Sequence, residues 1–454
     1  MSVSSQFRPP VPTPRVKPPG PLQLLASLRR NVLEIWSEAD FEIPIQIRKT
    51  IVDRRALVSD PVGIRHVFLE NARNYPKNEL QLRLLRPAVG AGLLTSNGDN
   101  WKRQRRILAP LFSPKQIEAF AAAKERVVAQ SAERLMQKPA GAVVDMSQEM
   151  GQLTLEILEH TLFGQGLGRD PSEFQHAITR YFDTLGQLDL FDMLGLPSYI
   201  PRLNRLRGRA TLGFAERAVN DMISARRHLM ASGETVPQDM LTSLLRAQDS
   251  DGSPISESEV RDNILTFIGA GHETTANALT WTLYTLSQAT DWRARVETEV
   301  DESVSRGAPV NQLAVTQAVL EETMRLYPPV SMMSRLALQD DTVAGVHIAA
   351  GTIVTVAPYV LHRHRTLWRD ADLFDPERFL GTNRDAIDRY AYLPFGAGPR
   401  TCIGMGFAMS EMLLILRHLL NRFRFDLVPG HVVEPQVRLT MRPAQGMKMR
   451  VTRR

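Results

Sequence analysis

One stretch of the 454-residue sequence dictates much of what the chain can become. Ser256 and Glu259 stand three apart, the spacing of a capping box, and open an apolar pattern at Val260, Ile264, Leu265, Phe267, Ile268, Ala276, Leu279, Trp281 and Leu283. The pattern keeps a helical period to about Ser287. At ~1.5 Å per residue such a helix crosses a whole large domain, so an α-rich core must form around it. A second helix is expected from Asn311 to Tyr327, stopped by Pro328-Pro329, and a third from Cys402 through Ala408, Met412, Leu413 and Leu416 to about Phe423. Thr342 to Leu361 mixes β-branched residues with spaced glycines and reads as short strands and turns, not as a membrane span. With no internal repeat and no long linker, the expected fold class is mainly α with small β-sheets (α+β), built as one domain.

Local signals place shorter elements. Asp60-Pro61 reads as a cap with proline at the first helical position, leading into Val62 to Glu70. Asn97-Gly98 is a turn pair, after which Asp99 or Asn100 can cap a helix from Trp101 that Pro110 stops. Seven prolines lie between Pro9 and Pro21, and Arg8, Arg15, Lys17, Arg29 and Arg30 precede the first acid, Glu34. The charge pattern is that of an organelle presequence, but the prolines forbid the amphipathic helix a presequence needs. Residues 1–21 are therefore expected to be an extended arm on a cytoplasmic protein, with 22–454 as the working domain.

Composition excludes several functions. A content of 43% hydrophobic and 23% charged residues rules out a disordered chain, and a net charge of +6 is too dilute to argue for nucleic acid. The single cysteine, Cys402, excludes an internal disulfide and any multi-cysteine zinc or iron–sulfur site. His272-Glu273 begins a zinc-protease pattern, but position 276 is Ala; Gly396 and Gly398 fail as a dinucleotide fingerprint because position 401 is Thr. His362 and His364 read as surface or core-edge residues.

Four groups of residues can carry chemistry. In Phe395-Gly396-Ala397-Gly398-Pro399-Arg400-Thr401-Cys402-Ile403-Gly404 the glycines permit a tight turn and close approach to a ligand, and a helix start at Cys402 would stabilise a thiolate. A lone cysteine can equally be a buried structural residue. Glu322 and Arg325 are an acid–base pair at i,i+3, a spacing that ordinarily gives a solvated surface contact. Trp101 and Arg105, four apart, share one helix face, compatible with core packing plus a surface charge. Ala270-Gly271-His272-Glu273-Thr274-Thr275 puts small residues and a carboxylate at the middle of the long helix, where Thr274 could also simply bond back to the helix.

Taken together these segments resemble the cytochrome P-450 family of haem-thiolate monooxygenases, from the end of the proline-rich arm to the C-terminus. Phe395, Gly398, Arg400, Cys402 and Gly404 match its Phe-x-x-Gly-x-Arg-x-Cys-x-Gly signature. Glu322 and Arg325 match its Glu-x-x-Arg, Pro376-Glu377-Arg378-Phe379 its Pro-Glu-Arg-Phe, Trp101 and Arg105 its Trp-x-x-x-Arg, and residues 270–274 its Ala-Gly-x-Glu/Asp-Thr. The resemblance implies a single-domain fold with the long helix over a buried haem b (iron protoporphyrin IX) ligated by Cys402. It implies propionate contacts from Trp101, Arg105, Arg335 and Arg400, and an architectural triad of Glu322, Arg325 and Arg378 that pins the cysteine loop. Ala270 and Gly271 would leave room for dioxygen, with Thr274 and Glu273 serving oxygen and proton delivery. The pocket would be drawn from residues 82–94, 185–200, Phe267, Ala270, 330–333 including Val330, Met332 and Met333, and 439–441 including Thr440. Their Leu, Met and Phe content suggests a fatty acid, terpenoid or steroid-like substrate.

The implied reaction inserts one atom of O2 into such a substrate. The chain ends at Arg454 without a flavin or ferredoxin domain, so electrons are expected from a separate ferredoxin or flavodoxin-type donor and its NAD(P)H-dependent reductase, as in soluble bacterial members. Lys102, Arg103, Arg106, Arg417, Arg422 and Arg424 are the expected docking cations. A haem-thiolate isomerase or peroxygenase, or a non-enzymatic haem sensor, is the alternative; Glu273-Thr274 argues for the monooxygenase.

Overall fold

The computed structural model describes residues 7–49, 54–78, 82, 85–87, 89–164, 203–249 and 252–454. The chain forms two compact units, one drawn from Met1–Asn78, Ser131–Met150 and Thr274–Arg454, the other from Glu79–Gln130 and Gly151–Glu273. The expected pocket segment 185–200 lies outside the described residues.

In the first unit a four-stranded sheet runs in the order Ile45–Lys49, Arg54–Val58, Ile353–Val356, Met333–Leu336. Its one parallel pairing sets Ala56 against Val354; its antiparallel neighbours include Arg335 against Val354. Ala56, Val58, Ile64, Val67, Phe68, Val354, Val356, Leu393 and Ala397 form one buried cluster on it. Because Leu393 and Ala397 flank Phe395, this apolar contact anchors the start of the cysteine segment to the sheet. The proline-rich arm packs on this unit from Phe7 onward. Phe374 N–H donates to the Phe7 carbonyl at 3.0 Å, the Tyr327 hydroxyl donates to Pro10 O at 3.0 Å, and the Arg15 backbone bonds the Trp36 and Glu38 backbone.

The cap at Asp60 forms, its carboxylate accepting from Gly63 N–H at 2.6 Å. The α-helix it starts is short, Pro61–Arg65, because the next turn is a wider π turn, His66–Glu70, closed by Asn71 N–H on His66 O. The second expected helix starts later, at Ala314, after a separate tight turn at Val310–Gln312. Its opening N–H groups at Val315 and Thr316 are taken by the Glu299 carboxylate of the preceding helix, both at 2.8 Å. The third begins at Met405, so Cys402 lies three residues ahead of it and not at its start.

The long helix runs Glu257–Gln288, with the capping box made: Glu259 N–H donates to the Ser256 hydroxyl and Ser256 N–H to the Glu259 carboxylate. In the second unit the helix expected from Trp101 begins earlier, at Gly98, with Asn97 as the cap residue, and ends at Leu108. Gly98 opens it at φ +59°, a conformation that neither Asp99 nor Asn100 needs to supply. Among the described residues no helix is long and apolar enough to cross a membrane.

Candidate active site

The cysteine segment is folded on its own backbone. Gly396 N–H donates to Leu393 O, Thr401 N–H to Gly398 O, and Cys402 N–H to Phe395 O at 2.8 Å. Gly396 and Gly398 have φ of +72° and +67°, which side chains rarely adopt. At Gly398 a Cβ would also overlap the Phe68 carbonyl, which the π turn pushes against the loop. The motif glycine is thus required twice, by its dihedral and by its neighbour. Cys402 is exposed, which is not the burial of a packing cysteine.

Glu322 and Arg325 are fully buried. Arg325 uses all five of its N–H donors: Nε and Nη2 bond the Glu322 carboxylate at 2.6 and 2.8 Å, and the rest reach the carbonyls of His362, Ala371 and Leu373 at 2.6, 2.7 and 2.9 Å. Glu322 also accepts from Asp375 N–H at 2.8 Å, while Arg378 approaches its carboxylate at 3.6 Å and donates to Asp370 O. The chain then passes from Arg325 to the cysteine loop through His362, whose Nε2 accepts from Leu393 N–H at 2.8 Å. Burial and the neighbouring Arg325 cation push the His362 imidazole down to about 3, so it stays neutral and can accept that bond. His362 and His364 are buried rather than at the surface.

Three cations gather beside this loop. Arg335 is buried on the strand Met333–Leu336, its guanidinium 4.8 Å from the Phe68 ring centre, and burial lowers it to about 10. Arg400 is lowered to about 10 by burial and by Arg335. Lys77, bridged to Arg335 by the backbone, is lowered well below the usual ammonium range by burial, Arg400 and Arg335. Sequence reasoning missed Lys77, because Asn74-Tyr75-Pro76-Lys77 has no strand signal; Leu336 N–H on Pro76 O and Leu338 N–H on Asn74 O bring the segment alongside the strand. Mutual repulsion among these cations, Arg335 buried and Lys77 and Arg400 partly so, is relieved by an anion, so the cluster fits the carboxylates of a porphyrin. The exposed thiol on the adjoining loop fits its iron.

On the long helix, residues 262–269 and 275–286 are buried, but Ala270 is exposed and Gly271, Glu273 and Thr274 are partly so, while His272 is buried. A helix enclosed along its length therefore opens on one face at the Ala-Gly-x-Glu-Thr segment. Burial lowers His272 to about 4 and keeps it neutral, and its carbonyl accepts from the Thr154 hydroxyl at 3.1 Å. Phe267 packs edge-on against Phe112 at 5.2 Å. In the other unit Thr440 accepts from Asn277 Nδ2 at 2.9 Å, and Trp281 Nε1–H holds Met441 O at 3.3 Å. Trp101 and Arg105 lie partly buried on the helix Gly98–Leu108 of the second unit; Val330 is exposed, and Met332 and Met333 are partly buried in the first.

A comparison with protein families matches residues 53–451 to Cytochrome P-450. The chain belongs to the cytochrome P-450 family. Cytochrome P-450 132 of Mycobacterium tuberculosis is 33% identical over 409 residues, 86% of each chain. Pentalenene oxygenase of Streptomyces avermitilis is 31% identical over 402 residues, 87% of each, and cyclooctatin synthase of Streptomyces melanosporofaciens 31% over 416, 88% of this chain and 89% of the relative. The protein is accordingly a haem-dependent oxidoreductase of the monooxygenase type, and cytochrome P-450 chemistry uses haem iron and O2.

The expected docking cations are largely compensated. Lys102 pairs with Asp99 at 2.8 Å, Arg103 with Glu259, Arg106 with Asp249 at 3.5 Å, Arg422 with Glu133 at 2.5 Å and Arg424 with Glu297 at 2.8 Å. Arg417 donates to Ala308 O at 2.9 Å. Such pairs offset much of the charge that would steer an acidic partner.

Proposed function

We propose that Cys402 ligates haem b and that the enzyme inserts one oxygen atom into a lipophilic, terpenoid-like substrate, in the cytoplasm, with 22–454 as the catalytic domain. The observation that carries this reading is the cluster of Lys77, Arg335 and Arg400 beside the loop that presents the only thiol. When bound, the haem supplies dioxygen activation, and thiolate ligation favours O–O cleavage. Lys77, Arg335 and Arg400 would hold its carboxylates, while Phe395, Gly398 and Gly404 shape the loop around Cys402.

Ala270 leaves space for dioxygen, the Thr274 hydroxyl donates a hydrogen bond to it, and Glu273, a partly exposed residue, passes protons inward from solvent through its carboxylate. Val330, Met332, Met333 and Thr440 present the substrate-facing surface of the first unit, and Phe267 that of the second. A relative named for oxygenating pentalenene supports a terpenoid over a fatty acid or steroid. Electrons come from a ferredoxin or flavodoxin-type donor with an NAD(P)H-dependent reductase. Because the basic side chains are already paired, donor turnover should depend only weakly on salt.

The test uses purified holoenzyme, surrogate redox partners and a terpene panel. One atom of labelled O2 should enter the product, and Thr274→Ala should keep consuming NAD(P)H while product per electron pair falls several-fold and peroxide rises. Equal coupling in wild type and variant would remove Thr274 from the proposal; product without label from O2 would remove the reaction.

A further inference from the structure

The segment 90–95 of the second unit has an unusual support. Its backbone is held by side chains of two helices. Ala91 N–H donates to the Asp262 carboxylate at 2.8 Å and Leu93 N–H to Asn263 Oδ1 at 2.9 Å, while Ala91 O accepts from Gln104 Nε2 at 3.0 Å. Asn263 and Gln104 are fully buried and bonded to each other at 3.1 Å, and Asn263 also donates to Glu259 O at 2.8 Å. Fit at this seat is close. A Cβ on Gly90 would overlap the Asp262 carboxylate, and one on Gly92 would overlap the Thr266 hydroxyl and lie 2.6 Å from Asp262 O.

The seat shares a helix stripe with the open face. Asp262, Thr266 and Ala270 follow one another at i+4, so Gly92 meets the helix one turn, ~6 Å, before the exposed Ala270. Asp262 and Thr266 are buried under the loop, and Ala270 is where that cover ends. The loop keeps turn bonds of its own, Thr95 N–H and Ser96 N–H on Gly92 O at 3.0 Å, and is tied to the helices through three side chains, so it can lift as a unit with water replacing those three partners at modest cost.

We propose that Asp262, with Asn263 and Gln104 behind it, is a latch that seats the 90–95 loop beside Ala270 and so sets the bulk of substrate admitted. These are positioning residues; none is placed in contact with the haem or the reacting atoms. The inference rests on the monooxygenase reading above, since it takes the Ala270 face as the substrate side.

The test is a spectral titration of ferric holoenzyme with two iron-binding probes of different size, imidazole and 4-phenylimidazole. In Asp262→Ala the ratio of 4-phenylimidazole to imidazole affinity should rise by about tenfold, the scale of one buried hydrogen bond, with faster entry of the bulky probe. Asp262→Asn, which keeps an oxygen for Ala91 N–H, should restore the wild-type ratio. Gly92→Ala, which prises the loop from Thr266, should reproduce Asp262→Ala and stands in for it if that variant does not fold. An unchanged ratio in both Asp262→Ala and Gly92→Ala, or equal changes for the two probes, would overturn the latch. Failure of imidazole, the small probe, to shift the wild-type Soret band would instead overturn the haem reading.

Discussion

The cysteine loop and the 90–95 loop are both turned by glycine against another part of the backbone, yet they are anchored in different ways. The first is fastened by its own main chain and backed by Arg325, whose five donors are all used, and by His362, a neutral buried imidazole. The second has main-chain turn bonds too, but its tie to the helices is made by Asp262, Asn263 and Gln104, each holding a separate backbone atom. A network with every group satisfied cannot lose one member without stranding another in low dielectric. Ties made through a few side chains let that loop lift as a unit without dismantling such a network. Rigidity is thus placed at the expected iron ligand and adjustability at the expected substrate side.

The sharpest break of this contrast is Arg325→Ala. It leaves Glu322 buried and three carbonyls without donors, so a loss of about 3–5 kcal/mol is expected, enough to prevent recovery of folded holoenzyme. Urea unfolding, or soluble yield of haem-loaded protein, measures it; a stable loaded variant would show that the network is not what holds the loop.

Two glycine substitutions give the next effect. Gly398→Ala forces a left-handed alanine, a strain of about 1–3 kcal/mol, and drives its methyl into the Phe68 carbonyl, so haem retention should fall. Gly92 does not have a positive φ, so Gly92→Ala carries no backbone strain and should displace the loop while the haem stays bound. Equal haem retention in the two variants would erase the distinction between the loops.

The smallest effect is in pH dependence. In the unfolded chain His362 takes up a proton below about 6.5, but in the fold burial and Arg325 delay this to about 3. The unfolded state therefore binds more protons in that window, and stability falls as pH drops through it, by about 1.4 kcal/mol per pH unit for one full proton. His272, lowered to about 4 by burial, adds a parallel loss. His362→Gln, which can still accept from Leu393 N–H, should flatten the slope of unfolding free energy between about pH 6 and 4 by close to one proton. An unaltered slope would mean that His362 is already charged in the fold.

Much of this is legible in the sequence itself. The capping box at Ser256 and Glu259, the stop at Pro328 and the cap at Asp60 are local, and each forms where its residues stand. What escaped the sequence is long-range. The helix after Val310–Gln312 begins at Ala314 because Glu299, on another helix, satisfies its first N–H groups, and no neighbouring residue announces that. Lys77 reads as a solvated lysine until the 74–77 segment pairs with the strand beyond Arg335. The π turn at His66–Glu70 has no signature, yet it brings Phe68 O against Gly398. The docking cations look exposed in sequence because their acids, Glu133, Glu259 and Glu297, are distant along the chain.

The account stands on Cys402 as the iron ligand, and the carbon monoxide difference spectrum of the reduced protein tests that most directly. Wild type should show the strongly red-shifted Soret band of thiolate ligation, and Cys402→His, carrying haem, should lose it. A red-shifted band retained in Cys402→His, or absent from loaded wild type, would contradict the assignment.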